Sequence, residues 1–204
     1  VLLDLNLPDS FGPATVESCR ALTEAPIVVL AGLDDPATTS LAIALGADDY
    51  LPKGGDSEAL RRSIRYALLR HRRDADARLA ATVFEHAREG IIVTDVHGRI
   101  VEVNEAFTRI TGYTRDDVLG REASLLKSDR HGPEFHAAMW QSLLEKGHWY
   151  GEVWNRRKSG ELFAELLTVS AVRDARGEIR HFVGLFSDIT LQKEHERQLE
   201  HIAH

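Results

Sequence analysis

Apolar and polar positions follow two different rhythms along this chain. Up to residue 73, short strand-like runs are separated by stretches with apolar residues at helical spacing. The runs are Val1-Leu2-Leu3, Ile27-Val28-Val29-Leu30 and Asp49-Tyr50-Leu51; the helical stretches are Ala14 to Leu22 and Ala37 to Leu45, the second closed by Gly46. Strand and helix in alternation predict parallel strands in a doubly wound sheet. Past residue 87 the rhythm changes. Ile91 to Thr94 and Ile100 to Val103 flank the turn Val96-His97-Gly98-Arg99, which reads as a hairpin. Three further strands lie between Trp149 and Thr190, parted by turns at Ser159-Gly160 and Ala175-Arg176-Gly177. Between the two groups lie helices. Asn104 caps Glu105 to Ile110, Thr114 opens a short helix with Asp117 three places on, and Pro133 to Lys146 ends at Gly147. Two strands, small helices and three strands predict a five-stranded antiparallel sheet with helices over one face and a cavity between them.

The two halves are joined by Ser57 to His86. Leu60, Ile64, Ala67, Leu68, His71, Ala75, Leu79 and Val83 recur at spacings of three and four, with arginines on the other faces. This is one amphipathic helix, or two joined at Asp74. Its narrow seam suits a parallel coiled-coil dimer; a surface helix packed on its own domain is the other reading. The expected organisation is α/β followed by α+β: residues 1–73, a connecting helix 74–86, a second domain 87–190 and an exit helix 191–204.

Composition narrows the setting. The chain has 204 residues, 43% hydrophobic and 28% charged, with a net charge of −7. The acidic balance argues against nucleic acid as partner, and the interdomain arginines lack an aromatic ladder. No apolar run reaches the ~20 residues that cross a bilayer, so no membrane partner is expected. One cysteine, Cys19, excludes an intrachain disulfide and a thiolate metal cluster and fits the cytoplasm. No nucleophile elbow, Ser-His-Asp pattern or phosphate-cradling glycine loop appears, so no enzyme is expected within the chain.

In doubly wound sheets functional groups collect at the carboxyl ends of the strands. Here those ends carry Asp4, Ala31-Gly32 and Pro52-Lys53. A carboxylate and a lysine at one sheet edge suit phosphoryl transfer. The runs Leu3-Asp4-Leu5-Asn6-Leu7-Pro8-Asp9, Val29-Leu30-Ala31-Gly32-Leu33-Asp34-Asp35 and Gly46-Ala47-Asp48-Asp49-Tyr50-Leu51-Pro52-Lys53-Gly54 resemble the receiver domain of response regulators. The resemblance implies Asp4 as phosphoacceptor, Lys53 as its cation, Tyr50 as switch aromatic, a Mg²⁺ ion in an intact receiver and a histidine kinase as partner. Ala31 stands where the family has Thr or Ser. The family's acidic pair and two of its strands are expected before Val1, so the receiver part is read as the remainder of a longer one, with three parallel strands, unable to accept a phosphoryl group.

The second half resembles a PAS domain over residues 79 to 190. The resemblance rests on Gly90-Ile91-Ile92-Val93-Thr94-Asp95, Val103-Asn104-Glu105-Ala106-Phe107, Thr111-Gly112-Tyr113, Leu119-Gly120 and the Trp149 to Thr190 meander. It implies ligand-pocket candidates at Asn155, Glu165, Phe186 and His131. Of the polar flavin contacts of light-sensing members, Asn155 matches, while Glu165 and Phe186 replace an Asn and a Gln. Ala123 stands where their adduct-forming cysteine would be. His131 falls where oxygen-sensing members place a haem ligand, or is a loop histidine. The expectation is a cofactor-free cavity, with FAD and haem as the alternatives. Trp140, Trp149 and Trp154 read as packing, and the charges from Glu152 to Lys158 as a solvated turn.

Asp188-Ile189-Thr190 resembles the end of signalling PAS domains, with Thr190 as helix cap and the pair Asp188 and Thr190 as signal relay. Leu191, Gln198 or Leu199, and Ile202 continue an apolar seam. Leu199 to His204 looks like the lead-in to a GGDEF domain, a diguanylate cyclase. The resemblances together imply a homodimeric regulatory piece of a bacterial cyclic-di-GMP signalling protein.

Overall fold

The structure is a computed structural model that describes residues 1–32 and 36–202. Leu33-Asp34-Asp35 of the receiver-like motif, the Ala203-His204 end and the Ile202 side chain of the exit seam lie outside what is described. The chain divides into two compact units, Val1–Ala80 and Ala81–His204.

In the first unit the strand-like runs become β1 (Leu2–Asp4), β4 (Val28–Ala31) and β5 (Asp49–Pro52). They form a parallel sheet in the order β1-β4-β5. Between β1 and β4 lie a small hairpin, β2 (Asn6–Leu7) and β3 (Ser10–Phe11), and α1 (Ala14–Leu22); α2 (Pro36–Ala44) links β4 to β5. The hairpin has no counterpart in the sequence reading, because neither of its two-residue strands is long enough to show a period. Leu3, Val29 and Tyr50 from the strands pack with Val16 and Ala42 from the helices. Asp48 closes the α2–β5 turn, accepting from the Ile27 amide at 2.8 Å and from Arg20 at 2.9 Å.

The helix α3 (Ser57–His86) runs unbroken through Asp74. No Gly or Pro interrupts it, so the alternative of two joined helices fails, and residues 74–86 are a continuation of one element. Ser63 and Ala67 are buried, while Leu79 and Val83 are more than half exposed.

The second unit is an antiparallel five-stranded sheet in the order β7-β6-β10-β9-β8. Its strands are β6 (Gly90–Asp95), β7 (Ile100–Val103), β8 (His148–Arg156), β9 (Leu162–Arg173) and β10 (Ile179–Asp188). The helices are α4 (Glu105–Thr111), α5 (Arg115–Val118), a 3-10 turn (Ala123–Leu126), α6 (Pro133–Lys146) and the exit helix α7 (Thr190–Ile202). The caps form as their residue types require. Asn104 accepts from the Phe107 amide, Thr114 and Asp117 make a reciprocal capping box, and Gly147 takes the left-handed conformation (φ 79°) that ends α6. Asn104 does more than cap. Its Oδ1 also accepts from the Ile91 amide, and its Nδ2 donates to the carbonyls of Phe84 and Glu89, so one buried side chain ties α3, β6 and α4 together.

The core is built by Ile100, Phe107, Val118, Phe163 and Phe186, with the rings of Phe107 and Phe186 edge to face at 6.0 Å. Phe186 lies directly across from Gly90 in the β6–β10 register, and a Cβ at Gly90 would collide with its ring. Gly90→Ala is therefore expected to destabilise the second unit by about 1–3 kcal/mol, the usual cost of overpacking a filled core. Urea unfolding followed by tryptophan fluorescence measures this unit alone, since Trp140, Trp149 and Trp154 all lie in it; an unchanged midpoint would contradict the packing.

Candidate functional site

A cavity of about 520 Å³ lies between the inner face of the antiparallel sheet and the helices over it. The pleat decides which residues reach it. Glu165 and Leu167 from β9 and Val153 and Asn155 from β8 alternate onto the inner face and line it. Ile92, Phe182, Gly184 and Phe186 complete the sheet wall; α6 supplies Phe135, His136, Met139, Trp140 and Leu143. Glu122, Lys127 and His97 also line the cavity, and they are exposed.

Of the carboxyl groups lining this space, one is buried. Glu165 is 2% exposed; its Oε1 accepts from the Asn155 amide at 2.9 Å, and its Oε2 is buried with no hydrogen-bond partner. Burial pushes its carboxyl up to about 8, with the Asn155 bond opposing and the nearby Asp188 charge adding to the rise. It is therefore a neutral acid near pH 7. Facing the same space, His136 also has a buried, unpartnered Nε2. Burial, then Lys127 and His131, hold its imidazole below the ordinary histidine value. Two unsatisfied polar atoms in an apolar cavity are a binding arrangement, because a ligand that pairs them removes a desolvation penalty.

Asn155, Glu165 and Phe186 thus come together on one wall. His131 does not join them. Its Nε2 accepts from the Trp154 amide at 2.9 Å and its ring stacks on Phe135 at 4.0 Å, so it satisfies the edge strand β8 from outside the cavity. Ser128 does the same for the Trp154 carbonyl. A haem ligand needs that nitrogen free. The cavity-lining histidine with an unpartnered Nε2 is His136, one turn into α6.

The end of the sheet holds a second constellation. Asp188 Oδ1 accepts from the Thr190 amide at 3.0 Å and from its hydroxyl at 2.6 Å, and Oδ2 accepts from Arg157 at 2.6 Å. Burial acts against the charge, but the two Thr190 bonds and Arg157 hold this carboxyl below the usual range. Thr190 is therefore held by a cap rather than acting as one; its own oxygen accepts from the Ala164 amide at 3.0 Å. Arg157 also donates to the Ile110 carbonyl at 2.5 Å and lies over the Phe163 ring at 4.5 Å. Beside it, Lys158 pairs with Asp117 at 2.7 Å. The solvated turn expected at Glu152 to Lys158 is instead a tie between the β8–β9 turn, the α4–α5 segment and the start of α7. The reading failed because every one of these partners is distant in sequence. The tryptophans are dispersed as packing: Trp140 on Phe182, Trp149 on Phe135, and Trp154 under Arg130 and Arg197.

In the first unit Asp4 and Lys53 meet in an ion pair at the carboxyl ends of β1 and β5, and the Lys53 amide donates to the Ala31 carbonyl at 2.7 Å. The Lys53 bond and the Asn6 amide hold the Asp4 carboxyl below its ordinary value. Tyr50 is in the core beneath. Among the described residues no three of His, Cys, Asp and Glu converge as a metal holder. Among the described residues, Asp4 is engaged by Lys53 and belongs to no such cluster, so they do not fit a magnesium ion.

The buried acid makes a thermodynamic prediction. A carboxyl raised from 4.5 to about 8 on folding takes up a proton, so its contribution is full at low pH and is lost as pH rises toward 8. His131 and His136, both lowered from 6.5, act in the opposite sense but only below that value. Between pH 6.5 and 8 the second unit should lose up to about 1.4 kcal/mol per pH unit. Tryptophan-detected urea unfolding should show this slope in the wild type and a flat profile in Glu165→Gln; equal slopes would place Glu165's proton elsewhere.

A protein-family model described as a PAS domain matches residues 88–191. A nitrogen fixation regulatory protein of Klebsiella oxytoca is 32% identical over 118 residues, 58% of this chain and 24% of its own length. A blue-light-activated histidine kinase of Brucella ovis is 32% identical over 113 residues, 54% of this chain and 23% of its own. The chain spans about a quarter of the length of these relatives. The crystal structure of a PAS domain from Colwellia psychrerythraea covers 56% of this chain and 97% of its own with a TM-score of 0.54 at 20% identity, a likeness of fold. The pocketed sheet, the helices over it and the match across residues 88–191 agree: the chain belongs to the PAS domain family.

Proposed function

We propose that residues 87–190 are a sensing module that binds a small molecule in the cavity and reports its presence through Asp188 and Thr190 to α7. One observation carries this reading: Glu165 presents an unpartnered oxygen to the cavity while lying opposite Asp188 in the β9–β10 ladder. The occupant is a mainly apolar molecule with a polar edge for Glu165, Asn155 and His136. FAD is the second reading. Asn155 and Glu165 on an apolar wall fit a planar heteroaromatic ring with a polar edge, and the name of the Brucella ovis relative denotes a light response. Ala123 offers no thiol, so such a flavin would be held without a covalent adduct.

The setting belongs to the same proposal. The chain is a regulatory part of a cytoplasmic bacterial signalling protein, acting as a homodimer, with a cyclic-di-GMP output domain of the GGDEF type after α7. Exposed Leu79 and Val83 on α3, and Leu191 and Leu199 on α7, support helical pairing between copies. The parallel sheet and the Asp4–Lys53 pair support a receiver origin for the first unit, with Asp4 as the position a histidine kinase would address, Lys53 as its cation, and Ala31 and Tyr50 beside them. A PAS domain serving only to dimerise is the competing reading.

Tryptophan-detected thermal unfolding with flavins, haem and small carboxylates separates sensor from dimeriser. A bound compound at a hundredfold its Kd adds about 2.7 kcal/mol to the stability of the second unit. Glu165→Leu should weaken that compound at least about tenfold, the loss of one buried hydrogen bond. A set of compounds without effect, on a dimer that does not change, would favour the dimeriser. Acetyl phosphate with Mg²⁺ should leave Asp4 unmodified by mass spectrometry, because one carboxylate does not hold the ion; stoichiometric phosphorylation would refute this.

A further inference from the structure

Glu165 stands where the cavity and the exit helix meet. Directly opposed residues of an antiparallel pair point to the same face, with Cβ atoms about 5 Å apart, and Glu165 is opposed by Asp188. Both oxygens of Asp188 are committed, one to Thr190 and one to Arg157. The residues between are bonded to the start of α7 as well: the Ala164 carbonyl accepts from Ile189 at 2.9 Å, and the Ala164 amide donates to Thr190. A second negative charge on Glu165 would therefore appear beside an existing one, in an apolar wall, on the strand that holds the helix.

We propose that Glu165 is a charge switch for the exit helix. Neutral, it leaves the hold of Asp188 on Thr190 intact; ionised, it repels Asp188 and loosens the first turn of α7. The proton passes to solvent or to a basic atom of the cavity's occupant, which then carries the matching positive charge.

The surrounding groups leave this charge uncompensated. From β8, Asn155 gives an amide bond to Oε1. From α6, burial holds the His136 imidazole below the ordinary histidine value, which disfavours its charged form. Of the charged groups lining the cavity, Glu122, Lys127 and His97 are exposed, where water screens them. From the β8–β9 turn, Arg157 is bound to Asp188 and the Ile110 carbonyl. No described residue bonds to Oε2. Burial of the acid, which lifts its titration to about 8, places the switching range near neutrality.

This inference rests on the proposed route from cavity to α7 but needs no ligand, because pH itself drives it. The whole chain, labelled with ¹³C at glutamate carboxyls and ¹⁵N in the backbone, is titrated by NMR from about pH 6 to about pH 10. The Glu165 carboxyl carbon and the Ala164 and Thr190 amides should shift with one common midpoint, and the first-turn amides of α7 should lose about tenfold in exchange protection, corrected for intrinsic rate, across it. Linkage requires the reciprocal effect: Asp188→Asn lowers the Glu165 midpoint. Glu165→Gln removes the amide transition. Amides that stay still while Glu165 titrates, or a midpoint unmoved by Asp188→Asn, would overturn the switch; neither depends on how Glu165→Gln folds. An α7 that responds to pH while no flavin, haem or small carboxylate binds the cavity would defeat the sensor reading alone, and a compound that binds the cavity while α7 stays silent to pH would defeat the switch alone.

Discussion

The register of β9 against β10 is the constraint on which the proposed relay in the second unit depends. In that ladder Phe186 faces Leu167 and Asp188 faces Glu165, so the last inward position of β10 falls beside the one ionisable residue buried in the sheet. A slip of one residue would turn every inward side chain outward and put Glu165 in water. The filled core around Phe107, Phe163 and Phe186 forbids the slip, and the fit of Phe186 over Gly90 fixes β10 from its other side. Packing that looks purely structural therefore sets the distance between two carboxyl groups.

Keeping a carboxylic acid in an apolar wall with one amide partner costs stability relative to an apolar residue of similar size. Nothing in the packing requires it: Leu167, the next inward residue on β9, occupies an equivalent place with a hydrocarbon side chain. A residue that the fold would be steadier without is one whose presence is explained by what it binds or transmits. The same reasoning separates His136 from His131. The second is satisfied by the edge strand and is explained by the fold; the first is buried with a nitrogen left over.

The parts of this molecule that were legible in the sequence are those fixed by local rules. The capping bonds of Asn104, Thr114 with Asp117, and Gly147 join neighbours within four residues, and the parallel and antiparallel halves announce themselves in the rhythm of apolar runs. Asn155, Glu165 and Phe186 were legible only through the family resemblance; strict alternation along their strands is the physical reason they share one wall. The rest depends on contacts between distant segments. Arg157 reads as part of a charged turn until the turn is folded against Ile110 and Asp188. His131 precedes α6 instead of lying on it, so helical spacing says nothing about where its ring points. The role of Thr190 changed for a similar reason: a hydroxyl at a helix start reads as a cap, but its acceptor capacity is taken by Ala164 on β9.

The exit helix is attached to the sheet in two ways of unequal character. Toward the inner face, Asp188 accepts from Arg157 at 2.6 Å and Thr190 accepts from the partly buried Ala164 amide at 3.0 Å, which together hold its first turn. Toward the outer face, Lys193 pairs with Glu152 at 2.8 Å and Arg197 lies over Trp154 at 5.5 Å, both on residues of β8 that point away from the cavity. Exposed contacts of the second kind contribute little, because water screens them. A helix held firmly at its first turn and weakly along its length has its equilibrium decided at that turn. A change of one or two kcal/mol at Asp188 then shifts the helix population five- to thirtyfold, roughly the range in which signalling equilibria are biased. A tighter outer attachment would fix α7 whatever happened in the cavity, and a looser first turn would leave nothing for the cavity to control.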